Sequence, residues 1–177
     1  MGNQRNDHPQ VLVLMGSASD WEHLRGAVEI LQDLAIGFEV HVSSAHRTPE
    51  RTVELVRAAD SGGCRVFICA AGMAAHLAGV VAAHTVRPVL GVPLPGGVLD
   101  GVDALLSTVQ MPGGVPVATF AVGSAGARNA AIFAAQILAG ELPEIRQALK
   151  DARRRDYEKI AAADRDIAAE LAGDDKP

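Results

Sequence analysis

The sequence predicts an α/β fold, a doubly wound parallel sheet with helices on both faces. Strand-like and helix-like segments alternate from residue 11 to residue 139, the order that builds βαβ units. The first of them, Val11–Met15, reads VLVLM, an unbroken apolar run expected of a strand covered on both faces. The chain has 177 residues, 49% of them apolar, which suits one domain with one sizeable core and argues against disorder.

The elements follow in order. After VLVLM comes the loop GSASD and a helical pattern from Trp21 to about Leu34. Phe38–Ser44, FEVHVSS, alternates like a strand. Thr48 is placed to cap the next helix and Pro49 suits its first position, with Ser61-Gly62-Gly63 ending it after Asp60. A third strand is expected over Arg65–Ala70 and a third helix over Ala74–Ala83. Pro88–Val92 reads as a fourth strand, Gly101–Val109 as a short helix and Val115–Val122 as a fifth strand, with Pro116 near its start. The Ala-rich Gly126–Ala139 closes the alternation as a helix. There is no internal repeat. The reading divides the chain into an α/β catalytic domain, 1–140, and a charged helical extension, 141–177, laid on the core or on a neighbouring subunit.

Charge is spread unevenly. Residues 141–177 hold 18 of the 37 charged side chains, whereas Ser61–Gly140 hold five: Arg65, Arg87, Asp100, Asp103 and Arg128. Eighty residues this poor in charge cannot cover their own surface with water-loving groups, which implies a homo-oligomer. The net charge of -5 and 3% aromatic content argue against nucleic acid as a partner. Val66–Val86 is 21 residues without a charge, long enough to span a bilayer. Its glycines, two histidines and predominance of alanine fit a buried strand, a loop and a buried helix instead, so no membrane partner is expected. Met1–Gln10 is polar and lacks the apolar core of a signal peptide. The two cysteines, Cys64 and Cys69, form no CxxC and no disulfide framework, and an odd separation on a strand would set them on opposite faces. That usage fits a cytoplasmic location.

In a doubly wound sheet, ligands sit at the carboxyl ends of the strands. That directs attention to residues 16–20, 44–48, 71–76, 93–98 and 110–115. In the first loop Ser17, Ser19 and Asp20 precede a helix whose free N–H groups suit a phosphate, and Asp20 could accept from a ribose diol. The same residues also suit plain capping by Ser19 or Asp20. The loop is neither GxGxxG nor GxxxxGK[ST], so a dinucleotide or nucleoside-triphosphate site lacks support. The second loop joins Ser44, a titratable imidazole, His46, and a guanidinium, Arg47, able to grip phosphate or carboxylate in bidentate fashion. In the third loop Gly72 and its small neighbours allow a flat ligand close to backbone. His76 either touches ligand or is a buried, satisfied histidine. His41 falls within a strand, His84 on a helix, and His8 and His23 in solvent. No histidine pair stands at metal spacing, no HExxH and no GxSxG occur, and no metal is expected. Residue types alone reach a small α/β enzyme that binds a phosphorylated metabolite with an uncharged ring and moves protons with a histidine.

Six ordered segments reach further: MGSASDW (Met15–Trp21), SSAHRTPE (Ser43–Glu50), AGMAAHLAG (Ala71–Gly79), PVLGVPL (Pro88–Leu94), GVDALLSTVQMPGGVPVAT (Gly101–Thr119) and AGARNAAIFAAQILA (Ala125–Ala139). Together they resemble the 5-(carboxyamino)imidazole ribonucleotide mutase family of purine biosynthesis (PurE), over about residues 11–139. The resemblance implies a three-layer, flavodoxin-like fold and an octamer with sites at subunit contacts. It also implies a ribonucleotide substrate and no cofactor. By position, His46 matches the family's general acid/base, and Ser17, Asp20 and Arg47 its substrate contacts. Ser19 and Ser44 fall where phosphate contacts are expected, and Gly72, Met73 and His76 where CO2 or carboxylate would lie. The family reads GAGGAAHLPG in the third loop, whereas Ala70, Met73 and Ala78 here replace two glycines and a proline. SAHRTP resembles the mutase branch, while a branch that carboxylates aminoimidazole ribonucleotide directly tends to carry Lys at the position of Arg47. That carboxylase reaction, and a non-catalytic nucleotide-binding module, are the alternatives.

Overall fold

A computed structural model describes residues 9–173. The reading of Met1–Gln10 falls almost wholly outside the described residues, and that of His8 entirely so. The elements are β1 (Val11–Met15), one 3-10 turn (Ala18–Asp20), α1 (Trp21–Asp33), β2 (Phe38–Val42), α2 (Pro49–Ser61), β3 (Val66–Gly72), α3 (Leu77–Ala82), β4 (Val89–Leu94), α4 (Val102–Val109), β5 (Ala118–Thr119), α5 (Ser124–Leu138) and α6 (Pro143–Gly173). The five strands form one parallel sheet in the order β2-β1-β3-β4-β5, the three-layer, flavodoxin-like arrangement.

The pleat of β1, which sends its apolar side chains alternately to the two faces of the sheet, explains the layers. Val11, Val13 and Met15 face a core closed by α1, α5 and the start of α6. Leu12 and Leu14 face the second core, beneath α2 and α3. All five side chains are buried, as a two-sided strand requires. The register places Met15 level with Val42 of β2 and Ala70 of β3, so β1 and β2 end together and β3 runs on two residues to Gly72 beside β4. From β1 the chain turns outward to β2, then crosses back to β3. The loops after β1 and β3 therefore diverge and leave a crevice at the carboxyl edge of the sheet.

Several boundaries move from their expected places, each for a local reason. The fifth strand shrinks to Ala118–Thr119, paired only with Leu90 and Gly91. Pro112, Gly113, Gly114 and Pro116 deprive its approach of donors and rigidity. Because β5 ends early, β4 runs on through Pro93 to Leu94, where no neighbour on that side needs the missing N–H. Helix α3 begins at Leu77 rather than Ala74, because Met73 adopts a left-handed backbone and Ala74–His76 make a tight turn. His84 consequently lies in the turn after α3, not on it. Thr48 donates its hydroxyl to the Ser44 carbonyl and accepts from the Ser44 N–H, so it braces the preceding loop and does not cap α2. Residues 110–115 precede β5 and lie at the opposite edge from the crevice loops. Cys64 sits before β3 rather than on it. Strand alternation does not govern the pair, and both thiols are buried in the same core cluster. Burial raises both above the ordinary thiol value and leaves them inert.

Val66–Val86 resolves into β3, its loop and α3, and no helix among the described residues is long and apolar enough to cross a membrane. Helix α6 is anchored by Ile145, which is buried in the first core. Its second half carries Tyr157, Ile160, Ile167 and Leu171 largely exposed. Phe133 on α5 is also exposed, so within one chain only one face of that Ala-rich helix is covered.

Candidate active site

The crevice at the carboxyl edge has a volume of about 550 Å³, within the range of small-molecule sites. It draws Ser17, Ser19, Asp20, Ser44, His46, Arg47, Gly72, Met73 and His76 into one lining, although they are spread over 60 residues of sequence. The loop after β4, within the 93–98 span singled out from sequence, adds Pro95 and Gly96, neither of which had been given a role of its own. Their signal was the Pro-Gly-Gly that follows Leu94.

The first loop is built by its own side chains. Ser17 is the cap of the 3-10 turn, and its Oγ accepts from the Ser19 N–H at 3.3 Å and from the Ser19 hydroxyl at 2.8 Å. With both acceptor positions used, the Ser17 hydroxyl hydrogen remains to donate to an anion. Asp20 completes the box by accepting from the Ser17 N–H at 2.9 Å. The cap is thus Ser17 closed by Asp20, not Ser19 or Asp20 alone. Partial burial raises the Asp20 carboxyl above its ordinary value, against the opposing pull of the Ser17 N–H and of His23. His23 is itself partly covered, with Nδ1 3.1 Å from the Ser124 hydroxyl, and is not a free solvent histidine.

The second loop stands on a buried hydroxyl pair, Ser43 and Thr52, 2.8 Å apart, which ties it to the first turn of α2. Above it, the Arg47 backbone N–H donates to Ser44 Oγ at 3.2 Å, and Arg47 Nη2 reaches across to the Gly16 carbonyl at 3.2 Å. The guanidinium therefore clamps the second loop to the first. Its Nη1 has no protein acceptor among the described residues, which leaves donors for an anion between the loops.

The third loop brings His76 to His46. Their rings meet edge to face with Nδ1 of His76 3.0 Å from Nε2 of His46. Both side chains are exposed to the crevice, so His76 is not a buried structural histidine. Met73 holds φ at +55° with its side chain 60% exposed, packed toward Gly97 of the next loop. A glycine at this place carries no such strain, and the methionine side chain forms part of the lining.

The crevice therefore offers an anion-binding end, a carboxylate suited to hydroxyl groups, an imidazole pair for protons, and apolar walls from Ala71, Ala74 and Leu77. The AIR carboxylase family model matches residues 10–159. The chain is 47% identical to the N5-carboxyaminoimidazole ribonucleotide mutase of Escherichia coli K12 over 158 residues, which is 89% of this chain and 94% of that one. It is 53% identical to the protein of the same name in Haemophilus influenzae over 131 residues, covering 74% of this chain and 80% of the other. The crystal structure of Treponema denticola PurE superposes with a TM-score of 0.81 at 27% identity, covering 90% of this chain and 99% of that one. A match across nearly the whole sheet, with relatives this similar over the same span, means that the chain belongs to the AIR carboxylase family.

Proposed function

We propose that the chain is an isomerase of purine biosynthesis, a mutase that converts 5-carboxyaminoimidazole ribonucleotide to 4-carboxy-5-aminoimidazole ribonucleotide. The observation that carries this reading is the convergence of Ser17, Ser19, Asp20, Ser44, His46 and Arg47 on one crevice. The Escherichia coli and Haemophilus influenzae relatives, at 47% and 53% identity, bear the mutase name.

The phosphate docks on Ser17, Ser44 and Arg47, with Ser19 turning its hydroxyl away from Ser17 to join them, and the ribose hydroxyls dock on Asp20. His46 delivers a proton to the exocyclic nitrogen as the carbamate carbon–nitrogen bond breaks and CO2 is released. The CO2 stays against Ala71, Gly72, Ala74 and Leu77, beside Met73 and His76. Carbon 4 of the electron-rich imidazole attacks it, and His46 removes the ring proton, so that one histidine acts first as acid and then as base. Holding CO2 beside the ring replaces a bimolecular encounter by an intramolecular one, worth about 7–11 kcal/mol. No metal or organic cofactor enters this scheme.

The chain works as a cytoplasmic homo-oligomer, an octamer by the family resemblance, with domain 1–140 as the catalytic unit and 141–177 as an extension on the core or a neighbouring copy. Supporting this, Val102, Leu106 and Val109 line the outer face of α4 and are exposed in the single chain, as is Leu99 beside the crevice loop. Incubation with each ribonucleotide, with and without bicarbonate, tests the reading. Product formed from the carboxyamino substrate without added bicarbonate supports it. Product formed only from aminoimidazole ribonucleotide plus bicarbonate assigns the carboxylase reaction instead.

A further inference from the structure

The Nδ1 atom of His76 lies 3.0 Å from two atoms at once, Nε2 of His46 and the carbonyl oxygen of Ala74. A carbonyl oxygen only accepts, so the contact with Ala74 is a hydrogen bond only if Nδ1 of His76 carries the proton. That proton is shared with the second neighbour, and Nε2 of His46 must then present its lone pair. The reverse assignment, Nε2–H of His46 donating to a bare Nδ1, would leave two lone pairs facing each other across the Ala74 contact. Ala74 is itself fixed, because its carbonyl also accepts the His76 backbone N–H at 2.8 Å. The bonding partners thus assign the tautomers of both rings.

We propose that His76 is a positioning residue that holds neutral His46 in its Nδ1–H tautomer, making Nε2 the atom through which the proton passes. Its catalytic consequence rests on the mutase reading; the tautomer itself does not. Unconstrained imidazole in water prefers the opposite form, with the proton on Nε2. His76 therefore reverses the intrinsic preference and aims the lone pair of His46 toward the loop against which the carboxyl group is expected. In turnover the substrate takes the place of the His76 N–H at Nε2: His46 enters the first step as the imidazolium, gives its Nε2 proton to the exocyclic nitrogen, and is left as the Nδ1–H tautomer with the Nε2 lone pair free. The proton leaving ring carbon 4 arrives at Nε2, its C–H electron pair returns to the ring, and the resulting imidazolium carries a proton on each nitrogen.

The test is nitrogen-15 NMR of the full chain labelled in its histidine rings, with His46 assigned by its loss in His46→Asn. Nε2 of His46 is expected as the unprotonated nitrogen of the neutral ring. His76→Asn places an amide N–H where Nδ1–H stood and keeps that tautomer. His76→Asp presents an acceptor and turns His46 to Nε2–H, and His76→Leu releases it to its intrinsic preference. His76 is exposed, so none of the three disturbs the core. In the same variants kcat is expected to fall by about 10–100-fold for Asp and Leu and by only a few-fold for Asn, with KM changing less than kcat, as for other residues that orient a catalytic histidine. A His46 found as Nε2–H in the wild type, or the same tautomer in the Asn and Asp variants, overturns the proposal. So does a kcat indifferent to a tautomer that has switched. If the expected tautomers are seen but the wild type turns over neither ribonucleotide, the mutase reading fails and the assignment stands.

Discussion

Met73 holds a left-handed backbone that costs a residue with a Cβ about 1–2 kcal/mol, and most of its side chain is exposed, so little packing offsets the cost. Met73→Gly relieves that strain but gives the unfolded chain more freedom, so a net gain of about 0.5–1 kcal/mol is expected by urea denaturation. A loss of stability would show that the side chain anchors the loop through Gly97. Asp20 shows a different balance. Burial raises its carboxyl, so the native state binds that proton more tightly than the unfolded chain does. Between the ordinary value of 3.8 and the raised one, stability therefore falls as pH rises, and above it the cost is fully present. Asp20→Asn, whose amide oxygen still accepts from the Ser17 N–H, should melt higher than wild type at pH 7 and alike near pH 3, with KM raised. Equal destabilisation at both pH values would contradict this. At the centre of the site, His46→Asn should lower kcat by roughly 100-fold or more while calorimetry still detects ribonucleotide binding. Retention of a tenth of the activity would remove His46 from the proton path. His46, Arg47 and Asp20 could be singled out in sequence because they stand between a strand and a helix, where a doubly wound sheet places its ligands; that Asp20 and Arg47 also brace the loops only the structure shows. The meeting of His46 with His76 was not, since it depends on the register that sets β2 and β3 on either side of β1 and on the left-handed turn at Met73.

Among the elements, β1 could be read directly, because five consecutive apolar residues admit little except a two-sided strand. The fifth strand was misjudged by length. Its alternation is strand-like from Val115 to Val122, yet pairing is limited by what β4 offers and by the prolines before it. The place where β4 meets α4 is set by a glycine whose role only the structure discloses. A Cβ at Gly91 would collide with the Thr108 side chain and stand 2.8 Å from Val117 Cγ1. Gly91→Ala should therefore cost about 1–3 kcal/mol of stability by overpacking, read as a lower urea midpoint at unchanged slope. An unchanged midpoint would mean that α4 can slide away from the sheet, and that its seating does not fix the loop carrying Pro95 and Gly96.

For the whole molecule, the five charges across Ser61–Gly140 announced a surface that one chain does not cover. The apolar outer face of α4 and the exposed Phe133 are where that surface lies. Sedimentation is expected to show an assembly larger than a dimer at micromolar concentration, and a stable monomer would contradict the assembly. The division of labour between sequence and structure has a physical basis at this scale too. Charge depletion is a property of composition, whereas the faces left bare depend on how the helices are laid on the sheet. The central claim is that the CO2 released from the substrate is held and returned to the same molecule. Carboxyamino substrate labelled with carbon-13 in its carboxyl group, turned over in unlabelled bicarbonate, tests it most directly. The account predicts that the label reaches carbon 4 of the product undiluted, with leakage, if any, reduced by Met73→Gly. Strong dilution of the label, with efficient use of aminoimidazole ribonucleotide plus CO2, would contradict it.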